Sequence, residues 1–509
     1  MNKFVKLIDA FLNQITMYRL VLYCLLIWLG FAAILGWAKI LPYNPLQIVL
    51  SALFLTAVAY LVNWIFAKIF EAPSNPESSI LTALILALII KPAKTPEEYI
   101  FLAWAAALAV ASKYIFAVGK KHIFNPAAVA VLITAYFAGQ SANWWVGTAA
   151  MFPLVFLGGA LIVRKIQRFD LVLSAILVAM TLSFSFGFAR GSSIATLIKQ
   201  CILDSPIWFF SFVMLTEPLT TPPTKGLQIL YGALTGFLFA PQTHIGGFYF
   251  TPEAALVTAN IFSYMVSPKQ KLTLYLKQKI RLTPSVYDFV FVADKNLRFK
   301  PGQYLEWTLG HKQPDNRGSR RYFTIASSPT EPELRMGVKF YSDSSTYKDN
   351  LLAMPRGGKI IASQLAGDFT LPKKTDTKLA FIAGGIGITP FRSMLKYLLD
   401  TGTSRPITVF YGNRYSEDIA YKDILDQAEQ RLGIKVVYLL TDQATPPDNL
   451  MAYQGRITPE IIKKEMPDYR KRTFMISGPR AMVQTTEQIL TEMGVQKKQI
   501  KSDFFPGFA

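Results

Sequence analysis

The first 268 residues form a series of long apolar runs, and this limits the fold more than any other feature. Residues 20–41 alone match a hydrocarbon core, which takes roughly 20 residues to cross. Further runs lie at 46–70, 79–90, 100–118, 127–137, 145–163, 171–188, 207–215, 227–240 and 254–266. Hydropathy therefore predicts a polytopic α-helical membrane domain of about eight to ten spans over residues 20–268. Basic residues cluster at Lys3/Lys6, Lys113/Lys120/Lys121, Arg164/Lys165/Arg168 and Lys269/Lys271. The positive-inside rule puts these clusters, the N-terminal residues 1–19 and everything after residue 268 in the cytoplasm, with an even number of crossings.

Composition then narrows the partners. Lys and Arg number 53 against 33 Asp and Glu, a net charge of +20. Such an excess suits nucleic acid or an anionic lipid surface. With 51% hydrophobic and only 17% charged residues, the chain fits lipid and excludes nucleic acid. Two cysteines, Cys24 and Cys201, cannot supply a four-thiolate cluster, and three histidines, His122, His244 and His311, cannot hold two bis-histidine haems. No metal site is expected.

Two segments interrupt the apolar pattern in the same way. Glu71-Ala-Pro-Ser-Asn-Pro-Glu-Ser-Ser79 and Thr216-Glu-Pro-Leu-Thr-Thr-Pro-Pro-Thr-Lys-Gly226 each set a carboxylate beside proline and hydroxyl residues, ahead of a short apolar helix beginning at Ile80 or Leu227. Proline breaks helices, and backbone freed at membrane depth must line a cavity or be buried in protein. Two matching breaks point to an internal repeat with a site at its centre.

Three motifs carry a resemblance. Met214–Gly226 is similar to an A-T-D-P-V-T-S-P-x-T-x-x-G signature, Ile123-Phe-Asn-Pro-Ala-Ala128 to an F-N-P-A element, and Phe250-Thr-Pro-Glu253 to the start of a last span. Together they resemble the membrane family of the Rnf complex D subunit and the sodium-pumping NADH:quinone reductase B subunit. Many members carry FMN on a threonine of an S-G-A-T element. This chain has Gly191-Ser-Ser-Ile-Ala-Thr196 in that interval, without the S-G-A-T order. The resemblance thus implies a bacterial inner-membrane protein with a non-covalent FMN or riboflavin near Thr216, Glu217, Thr220, Thr221 and Thr224.

The C-terminal half reads as soluble. Strand-like runs with turn signals over residues 272–372 predict a β-barrel or sandwich. From about 376 to 509 the pattern is strand, glycine turn, helix, then further buried strands between amphipathic helices, which predicts a doubly wound α/β domain. In Arg320-Arg-Tyr-Phe-Thr-Ile-Ala-Ser-Ser-Pro329, cations, aromatics and a hydroxyl share one strand. That set suits FAD: a guanidinium for the pyrophosphate, aromatic surface for the ring and a hydroxyl near its N5. Gly384-Gly-Ile-Gly-Ile-Thr-Pro390 is a glycine turn opening a helix, where N–H groups and the helix dipole favour a pyrophosphate.

These motifs resemble the ferredoxin–NADP reductase family. Arg321-Tyr-Phe-Thr324 stands at its R-x-Y-S position, Pro301-Gly-Gln-Tyr304 at its P-G-Q-Y turn, and Ser344-Ser-Thr346 at its flavin pyrophosphate loop. Gly384–Pro390 matches its nicotinamide-nucleotide motif, Ser477-Gly-Pro479 its C-G-P with Ser for Cys, and Phe508 its closing aromatic. The resemblance implies FAD held by Tyr304, Arg321, Tyr322, Phe323, Thr324, Ser344, Ser345, Thr346 and Phe508. It implies NAD(P)H held by Gly384, Gly385, Gly387, Thr389, Pro390, Gly478 and Pro479, with Thr324, Thr389 and Ser477 at the site of hydride transfer. A membrane-bound NAD(P)H flavin oxidoreductase follows, passing electrons through a membrane flavin or a partner redox subunit to a quinone or an extracytoplasmic acceptor. A repeat-type transporter or channel with a redox-sensing reductase domain is the other reading. Arg414 is the candidate for a 2′-phosphate, with NADH the favoured donor.

Overall fold

The computed structural model describes residues 8–9, 11–12, 15–70, 76–118, 121–267, 271–311, 314–315, 317–443, 450 and 452–503. It divides into two compact units, Met1–Gln270 and Lys271–Ala509.

The first unit is helical: α1 (Met17–Trp37), α2 (Pro45–Ile69), α3 (Pro76–Ile89), α4 (Pro96–Ile115), α5 (Pro126–Ala138), α6 (Phe152–Ile166) and α7 (Phe169–Ala189). A bent pair follows, α8 (Ile194–Leu203) and α9 (Ile207–Met214), meeting at 42°. The unit ends with α10 (Lys225–Phe239) and α11 (Pro252–Val266). Two-stranded hairpins, β1 (Ala117–Val118) with β2 (Lys121–His122) and β3 (His244–Ile245) with β4 (Phe248–Tyr249), precede α5 and α11.

The expected eight to ten spans are not all present. Among the described residues α1, α2, α4 and α7 are long and apolar enough to cross a membrane, and the α8–α9 pair makes five. Helices α3, α5, α10 and α11 have 14, 13, 15 and 15 residues. At 1.5 Å per residue they reach only about 20–22 Å. Their length is set by polar starts: Pro126 and Pro252 open α5 and α11, capped by the side chains of Asn125 and Thr251.

Asn125-Pro126 and Thr251-Pro252 each follow a hairpin and lie 126 positions apart. At that same spacing in the sequence, Lys91-Pro92-Ala93-Lys94-Thr95-Pro96 precedes Glu217-Pro218-Leu219-Thr220-Thr221-Pro222. Asn125 N–H donates to Asn260 Oδ1 (2.8 Å) in the middle of α11, and Trp144 Nε1, in the chain after α5, donates to Glu253 Oε2 (3.2 Å) in the first turn of α11.

The second unit holds two sheets. Strands β5 (Leu272–Arg281), β6 (Val286–Ala293), β7 (Tyr304–Thr308), β8 (Arg320–Thr324), β9 (Leu334–Lys339) and β10 (Lys359–Ala366) form an antiparallel sheet ordered β8-β7-β10-β5-β6-β9. Its two ends meet where Ala326 N–H donates to the Arg335 carbonyl (2.8 Å). Helix α12 (Thr346–Ala353) precedes β10.

The other sheet is parallel, ordered β14-β13-β12-β11-β15-β16 from β11 (Leu379–Gly384), β12 (Ile407–Asn413), β13 (Lys435–Leu440), β14 (Ala452–Gln454), β15 (Thr473–Ser477) and β16 (Ile500–Asp503). Helices α13 (Thr389–Thr401) and α14 (Lys422–Leu432) cover one face, packing Phe391, Leu395 and Ile424 on Phe381 and Val409. Helices α15 (Pro459–Glu465) and α16 (Arg480–Glu492) cover the other, packing Ile462, Val483 and Leu490 on Ala380 and Ile382. Every residue of β11 is buried, as a strand covered on both faces requires.

Candidate functional site

Sheet order fixes where a nucleotide can bind. From β11 the chain winds outward through β12, β13 and β14, then returns to β15 on the other side of β11. The crevice at this reversal, beyond the carboxyl ends of the strands, is the binding position of doubly wound folds. The turn 384–388 closes β11, Pro390 sits in the first turn of α13, and Ser477-Gly-Pro479 closes β15. Glycine is required at 387, where the two turns touch backbone to backbone. A Cβ on Gly387 would lie 2.4 Å from the Ser477 carbonyl oxygen and 2.6 Å from Gly478 Cα, and one on Gly384 would strike Met482 Sδ at 2.2 Å. Gly385 adopts φ +51° with open space beside it. Thr389 and Ser477 are buried at this edge, and Thr389 Oγ1 donates to the Ile386 carbonyl (3.1 Å). The expected nucleotide residues thus come together from two strands.

The flavin residues gather on β7, β8 and the start of α12. Tyr304 and Thr324 are direct neighbours across the β7–β8 pair. Arg321 is buried; its Nη1 donates to the carbonyls of Arg317 (2.6 Å), Gly318 (3.1 Å) and Arg320 (2.7 Å), and its guanidinium lies over the Tyr347 ring. The aromatic that β8 presents outward is Tyr322, 40% exposed, with its hydroxyl donating to Glu306 Oε2 (3.0 Å) and its ring edge-on to Tyr304. Phe323 turns inward against Tyr347. Ser345 caps α12 through the Lys348 N–H, Thr346 is its first residue, and Ser344 Oγ donates to the Tyr341 carbonyl. Phe508 lies outside the described residues.

The electrostatics there fit an anion. Burial, with repulsion from Arg317, draws Arg321 down to about 10. Burial, with repulsion from Arg321 and Arg317, draws Lys348 down to about 8. Asp315 stays below the usual carboxylate range: burial opposes ionisation, but the N–H groups of Thr346 and Arg317 and the Arg317 guanidinium outweigh it. Three crowded cations against one carboxylate, at a helix N-terminus, are a donor set that a pyrophosphate complements.

A buried network ties the two sheets of this unit together. Glu331 pairs with Arg392 through both its oxygens, and Arg392 Nη1 also donates to the Ala326 carbonyl (3.0 Å). Arg335 reaches Asp288 (2.8 Å), which accepts the Tyr421 hydroxyl (3.1 Å). Burial raises the Asp288 carboxyl against the pull of Arg335.

Sequence reasoning passed over three acids. Asp315 is one. Asp503, in register with Ser477, has an Oδ2 that is buried without a hydrogen-bond partner among the described residues, and burial pushes its pKa up to about 7. Its one sequence signal is its place just ahead of the aromatic run 504–508. Asp442, just past β13, lies 3.8 Å from Arg414, just past β12, so the expected 2′-phosphate ligand already faces a carboxylate.

In the helical unit, the predicted group is only partly assembled. Glu217 Oε1 lies 3.0 Å from His122 Nε2, Asn125 Nδ2 donates to Glu217 Oε2 (3.0 Å), and Asn260 Nδ2 donates to the Tyr231 hydroxyl (2.7 Å). Thr216 and Thr221 donate their hydroxyls to carbonyls of their own turn, Phe212 (2.7 Å) and Pro218 (3.1 Å), and Thr220 lies 3.4 Å from Glu217. Thr224 caps α10 without a side-chain bond. The hydroxyls of Thr216 and Thr221 are thus engaged within their own turn, whereas Thr224 makes no side-chain cap bond. Asn125 lies in the F-N-P-A motif, but nothing in the sequence joins it or His122 to Glu217, 92 and 95 positions away, and Tyr231 and Asn260 carry no sequence signal.

Residues 381–488 match the oxidoreductase NAD-binding domain family. Among curated relatives, the glycine betaine monooxygenase reductase subunit of Chromohalobacter salexigens is 25% identical over 233 residues, covering 44% of this chain and 62% of that protein. The propane 2-monooxygenase reductase component of Rhodococcus jostii is 25% identical over 236 residues, with the same coverage. The chain thus spans under two thirds of the length of these relatives. Among solved structures, the FAD/NAD-binding domain of nitric oxide dioxygenase from Vibrio cholerae has a TM-score of 0.41 at 20% identity, covering 46% of this chain and 98% of that one. A ferredoxin NADP+ reductase from Neisseria gonorrhoeae has a TM-score of 0.39 at 21% identity, covering 46% and 98%.

Proposed function

We propose, from the premise that the C-terminal part is a ferredoxin–NADP-reductase-like, NAD-binding oxidoreductase domain, that the chain is a membrane-bound NAD(P)H-dependent flavin oxidoreductase. The observation that carries this is the juxtaposition, in one unit, of a glycine crevice at the reversal of a parallel sheet and a cationic seat on β8 and α12. FAD, when bound, accepts a hydride and releases electrons one at a time.

The chain's own residues do the rest. Arg317, Arg321 and the first turn of α12 take the pyrophosphate, Tyr304 and Tyr322 offer aromatic surface, and Thr324 stands at the ring. Gly384–Gly387 and Gly478 let the nucleotide approach backbone N–H groups at the start of α13, while Thr389 and Ser477 orient the nicotinamide. Asp442 favours NADH: its carboxylate opposes a 2′-phosphate and accepts from a 2′-hydroxyl. The antiparallel sheet, drawn together at Ala326 and Arg335, is read as the FAD barrel. The apolar helices are read as spans of a bacterial inner membrane, arranged as an internal repeat with a 126-residue period. Electrons leave to a quinone or an extracytoplasmic acceptor, directly or through a partner redox subunit, and no step is assigned to a membrane flavin.

One observation favours the transporter reading as well: Glu217, His122, Asn125 and Asn260 link a broken helix to both repeat elements, as a transport site at a repeat interface would. Reduction by NADH of purified full-length protein in lipid vesicles, followed by a membrane quinone, separates the readings. Flavin reoxidation by the quinone supports electron transfer, and its absence, with normal reduction, supports a sensor.

A further inference from the structure

We propose that Asp315 and Arg317 form a clamp that assembles the pyrophosphate seat at the start of α12, a positioning role that rests on the FAD reading above. The clamp is closed at both ends. Asp315 Oδ2 accepts from the Thr346 N–H (3.1 Å), the first residue of α12, and from Arg317 Nε (3.0 Å), while Oδ1 accepts from the Arg317 N–H (2.9 Å). The Asp315 N–H returns to Thr346 Oγ1 (3.0 Å), which His311 Nε2 also meets (3.1 Å). Arg317 Nη2 reaches the Ser344 carbonyl (3.3 Å), and the Arg317 carbonyl accepts Arg321 Nη1 (2.6 Å). The acid therefore fixes Arg317, and through its backbone Arg321, against one helix terminus.

Charge gives the clamp its purpose. Arg317, Arg321 and Lys348 repel one another where burial already disfavours their charged forms. One carboxylate among them holds the group together and leaves a net of about two positive charges, equal and opposite to a pyrophosphate diester. Electrostatics alone predicts the reverse effect of removing it. Without Asp315 the seat is more positive and α12's first N–H is released, so a carboxylate acting merely as a rival anion would weaken FAD binding, and its loss would strengthen it.

The test uses full-length protein in detergent, with FAD dissociation read from the recovery of free-flavin fluorescence and checked by ultrafiltration. Asp315→Asn and Arg317→Ala should each weaken FAD binding by on the order of tenfold or more, the scale of a lost charge-assisted hydrogen bond. The double variant should be no weaker than the poorer single one, because both act through one clamp, and Asp315→Glu should regain part of the affinity. Unchanged or tighter binding in Asp315→Asn, or additive losses in the double variant, would overturn the clamp while leaving the FAD reading intact. A wild-type protein that binds no FAD would overturn both.

Discussion

Replacing Gly387 by alanine tests whether the meeting of two turns builds the nucleotide site. The added Cβ would sit 2.4 Å from the Ser477 carbonyl oxygen and 2.6 Å from Gly478 Cα, against an ordinary contact of 3.4 Å or more. Both neighbours are backbone, so relief needs the ends of β11 and β15 to separate by about 1 Å rather than a side chain to rotate. Overpacking of this kind costs about 1–3 kcal/mol, and unyielding neighbours place it near the top of that range. Released entirely by opening the crevice, about 3 kcal/mol is on the order of a hundredfold in affinity. Rapid-mixing measurement of flavin reduction against NADH concentration should show the apparent dissociation constant rising by that order, with FAD content unchanged. Gly412→Ala, on the adjacent strand with its nearest neighbour 3.7 Å away, should behave as wild type. Normal NADH affinity in Gly387→Ala would refute the placement of the nucleotide.

Four further outcomes follow from the same geometry. Arg321→Ala should lose FAD and all NADH oxidation, read by flavin content after purification. Asp442→Ser should shift kcat/KM toward NADPH by about tenfold, since one unfavourable charge contact of roughly 1–2 kcal/mol is removed. Glu331→Gln strands Arg392, which is 4% exposed, and should cost about 3–5 kcal/mol in chemical denaturation of the reductase unit. Asp503 binds a proton in the folded state, up to about pH 7, that the unfolded chain gives up near pH 4. Stability should therefore fall as pH rises from about 4 to 7, and Asp503→Asn should flatten that slope in thermal melts.

The reductase unit was legible where its physics is local. Apolar, β-prone Val436–Leu440 can only be a buried strand, and in Gly384–Pro390 a strand end, glycines and a helix start are adjacent. Strand β10 is hard to read in sequence: its second half, Ser363-Gln-Leu-Ala366, carries a bulge with Gln364 at φ +54°, which breaks the alternation. Strand β16 is a polar edge whose partners lie in β15, so nothing in Ile500-Lys-Ser-Asp503 announces it. In the helical unit hydropathy finds apolar segments but not their ends. Those ends depend on caps such as Asn125, whose backbone N–H also donates to Asn260 Oδ1, and on contacts that join Glu217 to His122 across 95 positions.

The central claim is that reducing power collected by the reductase unit leaves through the apolar one. Full-length protein in sealed lipid vesicles, given NADH and then a quinone soluble only in lipid, tests it with one trace of flavin absorbance. The account predicts bleaching on NADH and recovery on quinone. Bleaching that recovers only with a water-soluble oxidant would contradict it.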